Sequence, residues 1–190
     1  MRTSVICLSR TTGAGDPEIG RLLAERLKFR YVDDGIVIDA ARAENIFPEA
    51  VAHAESRNPG RRLEVDFHRF ERTEMIRDLI RDAIVKTADE GDVVIVAHAA
   101  SFALADRDGV LRVLVTAPDE SRSRQLGEED GLDAKSAAKR LSESDKNRAL
   151  YLKRFYGISR ELPTHFDLVV NTGRLTSEQA VETIVHAVRR

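Results

Sequence analysis

The chain has 190 residues, 42% of them hydrophobic and 33% charged, which fits one globular domain able to bury its own core. Thirty basic against thirty-two acidic residues give a formal charge of -2, too little basic surplus to expect binding to nucleic acid or to a membrane surface. No run reaches membrane-spanning length and no secretory leader pattern is seen, while the single Cys7, read as a core residue, excludes an intrachain disulfide and suits a reducing, cytoplasmic setting.

In chain order, an apolar run at residues 4–9 predicts the first strand, and residues 18–27 place Ile19, Leu22, Leu23 and Leu27 on one helical face. Between them lies a Gly-rich turn, so the order is that of a phosphate-binding strand, loop and helix. Asp16 and Pro17, however, stand where Lys and Ser/Thr are expected. Asp16 as N-cap and Pro17 as first helical residue give that pair a structural reading. A short strand is expected at 29–32 and a helix at about 35–44, followed by breaks near Pro48 and at "NPG", residues 58–60. Residues 61–89 carry Phe67, Phe70, Met75, Leu79, Ile80, Ala83 and Ile84 at roughly helical spacing and predict a long, partly exposed helix.

The runs at 92–98, 110–118 and 166–171 are continuously apolar, the pattern of strands covered on both faces in a parallel sheet. Helices are expected at 119–129, 133–156 and 176–189, the last opened by the capping-box pattern "TSEQ". Five strands with helical crossovers predict an α/β fold, a three-layer doubly wound parallel five-stranded sheet, with ligands beyond the strand carboxyl ends.

Six segments in this order resemble the cytidylate kinase-like family of P-loop nucleoside monophosphate kinase folds: "SRTTGAGDPEIGRLLAERL", "FRYVDD", "VVIVAHAASFAL", "VLRVLVTAP", "SDKNRALYLKRFYG" and "FDLVVNTGRLTSEQAV". The resemblance runs over nearly the whole chain. It implies a single P-loop kinase-like domain over 1–190, with a helical substrate-binding-like region at 45–90 and a lid-like helix at 133–160. It also implies transfer of the ATP γ-phosphoryl group, with Mg²⁺, to a nucleoside monophosphate, CMP or dCMP.

Each segment supplies candidate residues. Gly13 and Gly15, with Ala14 and Asp16, form the expected phosphate cradle, because glycines let backbone N–H groups turn inward at the positive end of the next helix. The resemblance leads one to expect "GSGGREI" here, so an absent Lys is partly a family trait, but Asp16 for Gly and Pro17 for Arg are departures. An Asp within about 4 Å of a phosphate is repelled by roughly 1 kcal/mol in water and about 4 at an effective dielectric of 20. Asp16 is therefore expected to point away from the phosphate, unless nucleotide binding is weak. Arg10 is the candidate compensating charge, and Arg21 is expected to be solvated. In the lid-like segment, Arg140 and Arg148 are candidate catalytic cations, with Asp145 either orienting an Arg, accepting a substrate contact or lying on the surface. His98 stands with Ala97 where the family has Gly-Arg, as a candidate substrate contact or a structural His. Asp33 is a candidate substrate-binding acid, and Asp34 is favoured as a helix N-cap.

Three functions remain open on this reading: an active monophosphate kinase of low activity, a degenerate relative that binds nucleotide or another phosphorylated ligand for regulation, and an interaction module on the same fold. The absent loop Lys, loop Ser/Thr and third-strand Arg each remove charge or metal ligation that would stabilise the transition state.

Overall fold

The computed structural model describes residues 3–9, 11–36, 38–39, 67–97 and 99–188. Five strands form one sheet: β1 (Val5–Ser9), β2 (Arg30–Asp33), β3 (Val93–Ala97), β4 (Val110–Thr116) and β5 (Leu168–Asn171). Their order is β2-β3-β1-β4-β5, and every pairing is parallel. All residues of β1 and β3 are buried, which is why their sequences read as unbroken apolar runs rather than as alternation. The expected strands are present with ends shifted by up to two residues.

Among the described residues the helices include α1 (Asp16–Leu27), α2 (Phe67–Asp89), α3 (Ala100–Ala103), α4 (Asp119–Asp130), α5 (Ala134–Tyr156) and α6 (Ser177–Val188), and residues 35–36 and 38–39, where a helix was expected, are helical. Strand periodicity divides the core between them. Ile6, Leu8, Val94, Val96, Val113 and Val115 face one side, packed with Ile19 and Leu23 of α1 and Val181 and Ile184 of α6. Val5, Cys7, Val93 and Ile95 face the other, with Ile80, Ile84 and Ala88 of α2. Burial pushes the Cys7 thiol up to about 12, in keeping with a core residue.

Several local signals hold as read. The Thr176 hydroxyl accepts from the Gln179 amide at 3.3 Å, and the Gln179 side chain accepts from the Thr176 amide at 3.0 Å, closing the capping box. Others need correction. Gly15, at φ 81, is the N-cap of α1, so Asp16 is already inside the helix rather than capping it. At the end of β2 the Asp33 Oδ1 accepts from Gly35 N–H at 3.0 Å, a local bond that the reading of Asp33 as a substrate-binding acid does not include. Two short elements were not expected: α3, and a 3₁₀ turn at Pro163–His165. Residues 45–66 of the 45–90 region, along with Arg10 and His98, lie outside the described residues.

The chain leaves β1 toward β2 on one side and later crosses to β4 on the other. The winding reverses at β1, and ligands of open α/β sheets sit beyond the carboxyl ends of strands at such a point.

Candidate functional site

Beyond Ser9, the end of β1, the chain turns through Thr11, Thr12, Gly13, Ala14 and Gly15 into α1. Gly13 and Gly15 have φ of 74° and 81°, a left-handed conformation that side chains disfavour. Ala14 N–H donates to the Thr11 carbonyl at 2.9 Å and closes the turn. Two of the loop carbonyls are tied back into the protein. Thr12 C=O accepts from Arg122 at 3.2 Å, and Ala14 C=O accepts from the Thr172 hydroxyl at 2.9 Å.

These anchors fix the direction of the loop amides. The loop contains no cis peptide, and in a trans peptide the N–H points opposite to the preceding C=O. Gly13 N–H therefore points away from Arg122, and Gly15 N–H away from Thr172. Together with the positive end of α1 they form a backbone arrangement that accepts phosphate oxygens.

Asp16, expected to point away from the phosphate unless nucleotide binding is weak, is only 1% exposed, inside the first turn of α1, where the helix's positive end favours a carboxylate. Arg21 is exposed as read, with its guanidinium 5.3 Å from the centre of the Tyr31 ring.

The lid-like residues divide. Asp145 takes both prongs of Arg122, at 2.9 and 2.6 Å, and so orients an arginine that sequence reading did not single out. Arg122 also reaches Asp119 at 2.9 Å, and these carboxylates raise its pKa. Nothing in "DESRSRQ" marks Arg122 over Arg124; its burial follows from where α4 lands against the loop. Arg148 is brought to the end of β1, donating to Ser9 Oγ at 2.6 Å and to Glu161. Arg140 pairs with Asp130 at 2.8 Å. Asp130 closes the far end of α4, roughly 12 Å along the axis from Arg122, so Arg140 is not gathered at the loop. A groove of about 920 Å³ between α4 and α5 is lined by Asp145 and Leu141 but by none of the loop residues 11–16, which places it beside the loop rather than over it.

The model of the cytidylate kinase-like family matches residues 5–174, across the loop, the sheet and the lid-like helix. The chain belongs to the cytidylate kinase-like family. Similar proteins include the cytidylate kinase of Aeropyrum pernix, 29% identical over 96% of this chain and 98% of that protein. That of Pyrobaculum neutrophilum is 31% identical, covering 93% and 88%. Among solved structures, an uncharacterized protein from Eubacterium ventriosum superposes with a TM-score of 0.75 at 16% identity, covering 98% of each chain. The shikimate kinase of Bacteroides thetaiotaomicron gives 0.61 at 14%, covering 98% and 99%. At those identities the structures support the kinase fold alone, while the family supports a nucleoside monophosphate kinase-like function.

ATP and Mg²⁺, which this family implies in general, fit the residues unequally. The anchored loop suits the phosphates of a nucleotide. For Mg²⁺ the position that ordinarily offers a hydroxyl is Pro17, whose ring has no donor atom, so the loop does not supply that ligand.

Proposed function

We propose that this chain is a nucleoside monophosphate kinase-like protein that binds ATP phosphates in the Thr11–Asp16 loop and transfers the γ-phosphoryl group to CMP or dCMP at a low rate. The observation that carries this reading is the anchored loop, with the peptides after Thr12 and Ala14 held so that their N–H groups turn away from Arg122 and Thr172. In the transfer, the bond from the γ-phosphorus to the bridging oxygen breaks and one to an acceptor phosphate oxygen forms, giving the two diphosphates.

The chain's own residues would have distinct parts. The loop amides and the start of α1 hold the phosphates, and Arg148, at the end of β1, supplies a cation once a ligand competes with Glu161 for it. The helix α5 would act as a lid that excludes water. The acceptor would use the 45–90 region together with Asp33 and His98, all within one domain in a cytoplasmic setting. Arg10 remains the candidate extra charge beside the loop. No transfer step is assigned to a protein-held Mg²⁺.

A second reading, nucleotide binding without transfer, is favoured by one feature. Asp16 and Pro17 remove a cation and a metal ligand from the place where transition-state charge develops, each able to cost several kcal/mol. A phosphotransfer assay with ATP, Mg²⁺ and a panel of monophosphates, paired with calorimetric titration of ATP, separates the two. Turnover highest on CMP or dCMP supports the first; binding without turnover supports the second; neither binding nor turnover removes both and leaves an interaction module.

A further inference from the structure

Every terminal N–H of Arg122 is engaged. Nη1 donates to Thr12 C=O at 3.2 Å and to Asp145 Oδ1 at 2.9 Å, and Nη2 donates to Asp145 Oδ2 at 2.6 Å and Asp119 Oδ1 at 2.9 Å. The side chain is 7% exposed. Its own main chain also presses on the loop, since a Cβ placed on Gly13 would lie 2.3 Å from the Arg122 carbonyl oxygen. Next to Asp145 on α5, the Ser144 hydroxyl meets the Thr12 hydroxyl at 2.6 Å. Residues 12 and 13 are thus held from three directions: by the arginine head, by its backbone and by a hydroxyl of α5.

We propose that Arg122 is a positioning residue for the phosphate loop, and that Asp145 is the acid that keeps it aimed at Thr12. The functional consequence rests on the anion-binding reading above; the bracing of the loop does not. Arg122 cannot turn a terminal N–H to a ligand without giving up one of these four bonds, its Nε is buried, and two carboxylates offset its charge. It therefore acts through geometry. Holding Thr12 C=O fixes the direction of Gly13 N–H, because the peptide plane turns as one unit. Since Asp145 and Ser144 both belong to α5, the lid-like helix and the loop move together: tilting α5 loosens the grip on Thr12.

A charge role and a positioning role predict opposite outcomes for Asp145→Asn. Removing a neighbouring negative charge would strengthen anion binding if Arg122 acted by its field, whereas losing the strong acceptor weakens binding if Arg122 acts as a brace. The test uses the full chain in three forms, wild type, Asp145→Asn and Arg122→Lys, with two readouts. Amide hydrogen exchange is followed over the loop, with the Ala14 amide as reporter and α6 as control, and inorganic pyrophosphate is titrated by calorimetry.

Both variants are expected to speed loop exchange by about ten-fold with α6 unchanged, and to weaken pyrophosphate binding by about ten-fold. Should Arg122→Lys fail to fold, Asp145→Asn decides alone. Unchanged loop exchange overturns the proposal, as does faster exchange with unchanged or tighter pyrophosphate binding. If the wild type binds no pyrophosphate, the functional reading fails, and the exchange result still decides whether Arg122 braces the loop.

Discussion

Arg148 and Glu161 form a two-pronged ion pair at the end of β1: Nε donates to Oε2 at 2.7 Å and Nη2 to Oε1 at 2.7 Å, with side chains only 9% and 18% exposed. Ser9 Oγ joins it, accepting from the same Nη2 at 2.6 Å and donating to Oε1 at 3.4 Å. The pair closes the segment after α5 onto the strand that leads into the loop.

Removing one partner of such a pair strands a charge away from water. Arg148→Met is therefore expected to lower the unfolding free energy by about 3–5 kcal/mol, and Glu161→Leu added to it should recover most of that loss. Urea denaturation of the single and double variants measures both. A loss below about 1 kcal/mol in the single variant would show that water reaches Glu161 well enough to solvate it.

Two glycines in the left-handed region separate packing from conformation. At Gly13 a Cβ would meet a backbone oxygen at 2.3 Å, whereas at Gly131, φ 65, nothing lies within 4 Å. Gly131→Ala should cost only the conformational strain, about 1–2 kcal/mol. Gly13→Ala adds overpacking of about 1–3 kcal/mol more and should displace the loop, with loss of pyrophosphate binding. Equal destabilisation by the two substitutions would mean that the loop can back away from α4.

What the sequence made legible follows from period and punctuation. β1 and β3 could be read because burial on both faces writes an unbroken apolar run, and α6 because Thr176 and Gln179 mark its start. The loop could be placed because glycines sit where positive φ is needed. The partners could not. Arg122 and Arg124 are alike as letters, and Glu161 is one acid among many; burial selects them only after α4 and the segment beyond α5 fold onto β1. Asp16 misled as an N-cap for a related reason: its residue type suits that position, but Gly15 at φ 81 takes it and the helix packs Asp16 inside.

Acid should weaken the sheet at its β4–β5 edge. Asp167 Oδ2 accepts from the Arg112 amide at 2.8 Å and from Nε at 3.0 Å, and Oδ1 accepts from Nη2 at 2.7 Å. These bonds, above all the side-chain ones, hold the Asp167 carboxyl below the ordinary carboxylate value. A depressed folded pKa gives stability that is present above the unfolded value, near 3.9, and lost as pH falls through the folded one. The Asp133 carboxyl, lowered by Ser136 N–H, adds to the same loss. Urea midpoints should fall between pH 5 and 3, expected from the carboxylate range, and Asp167→Asn should be less stable at pH 7 with a shallower acid slope. An unchanged slope would place the acid sensitivity in other carboxylates.

Asp16 sets the last prediction, because its carboxylate stands in the first turn of α1, 1% exposed, where the helix's positive end would otherwise serve a bound phosphate. The carboxylate and a ligand phosphate draw on the same field and repel each other, by about 1 kcal/mol at 4 Å in water and more where water is excluded. Asp16→Asn keeps the shape and removes the charge. Pyrophosphate should then bind about five- to ten-fold more tightly, taking the lower end of that repulsion at 1.4 kcal/mol per decade. The same change should lower stability by about 0.3–1 kcal/mol through the lost helix-end interaction. Calorimetric titration and urea unfolding of this one variant measure the two opposed effects. Weaker binding in Asp16→Asn would mean that the carboxylate supports the loop rather than competing with its ligand. Asp16→Lys, which restores the usual loop cation in name, cannot make this distinction, since a lysine at so buried a position must desolvate its ammonium or break the first turn of α1.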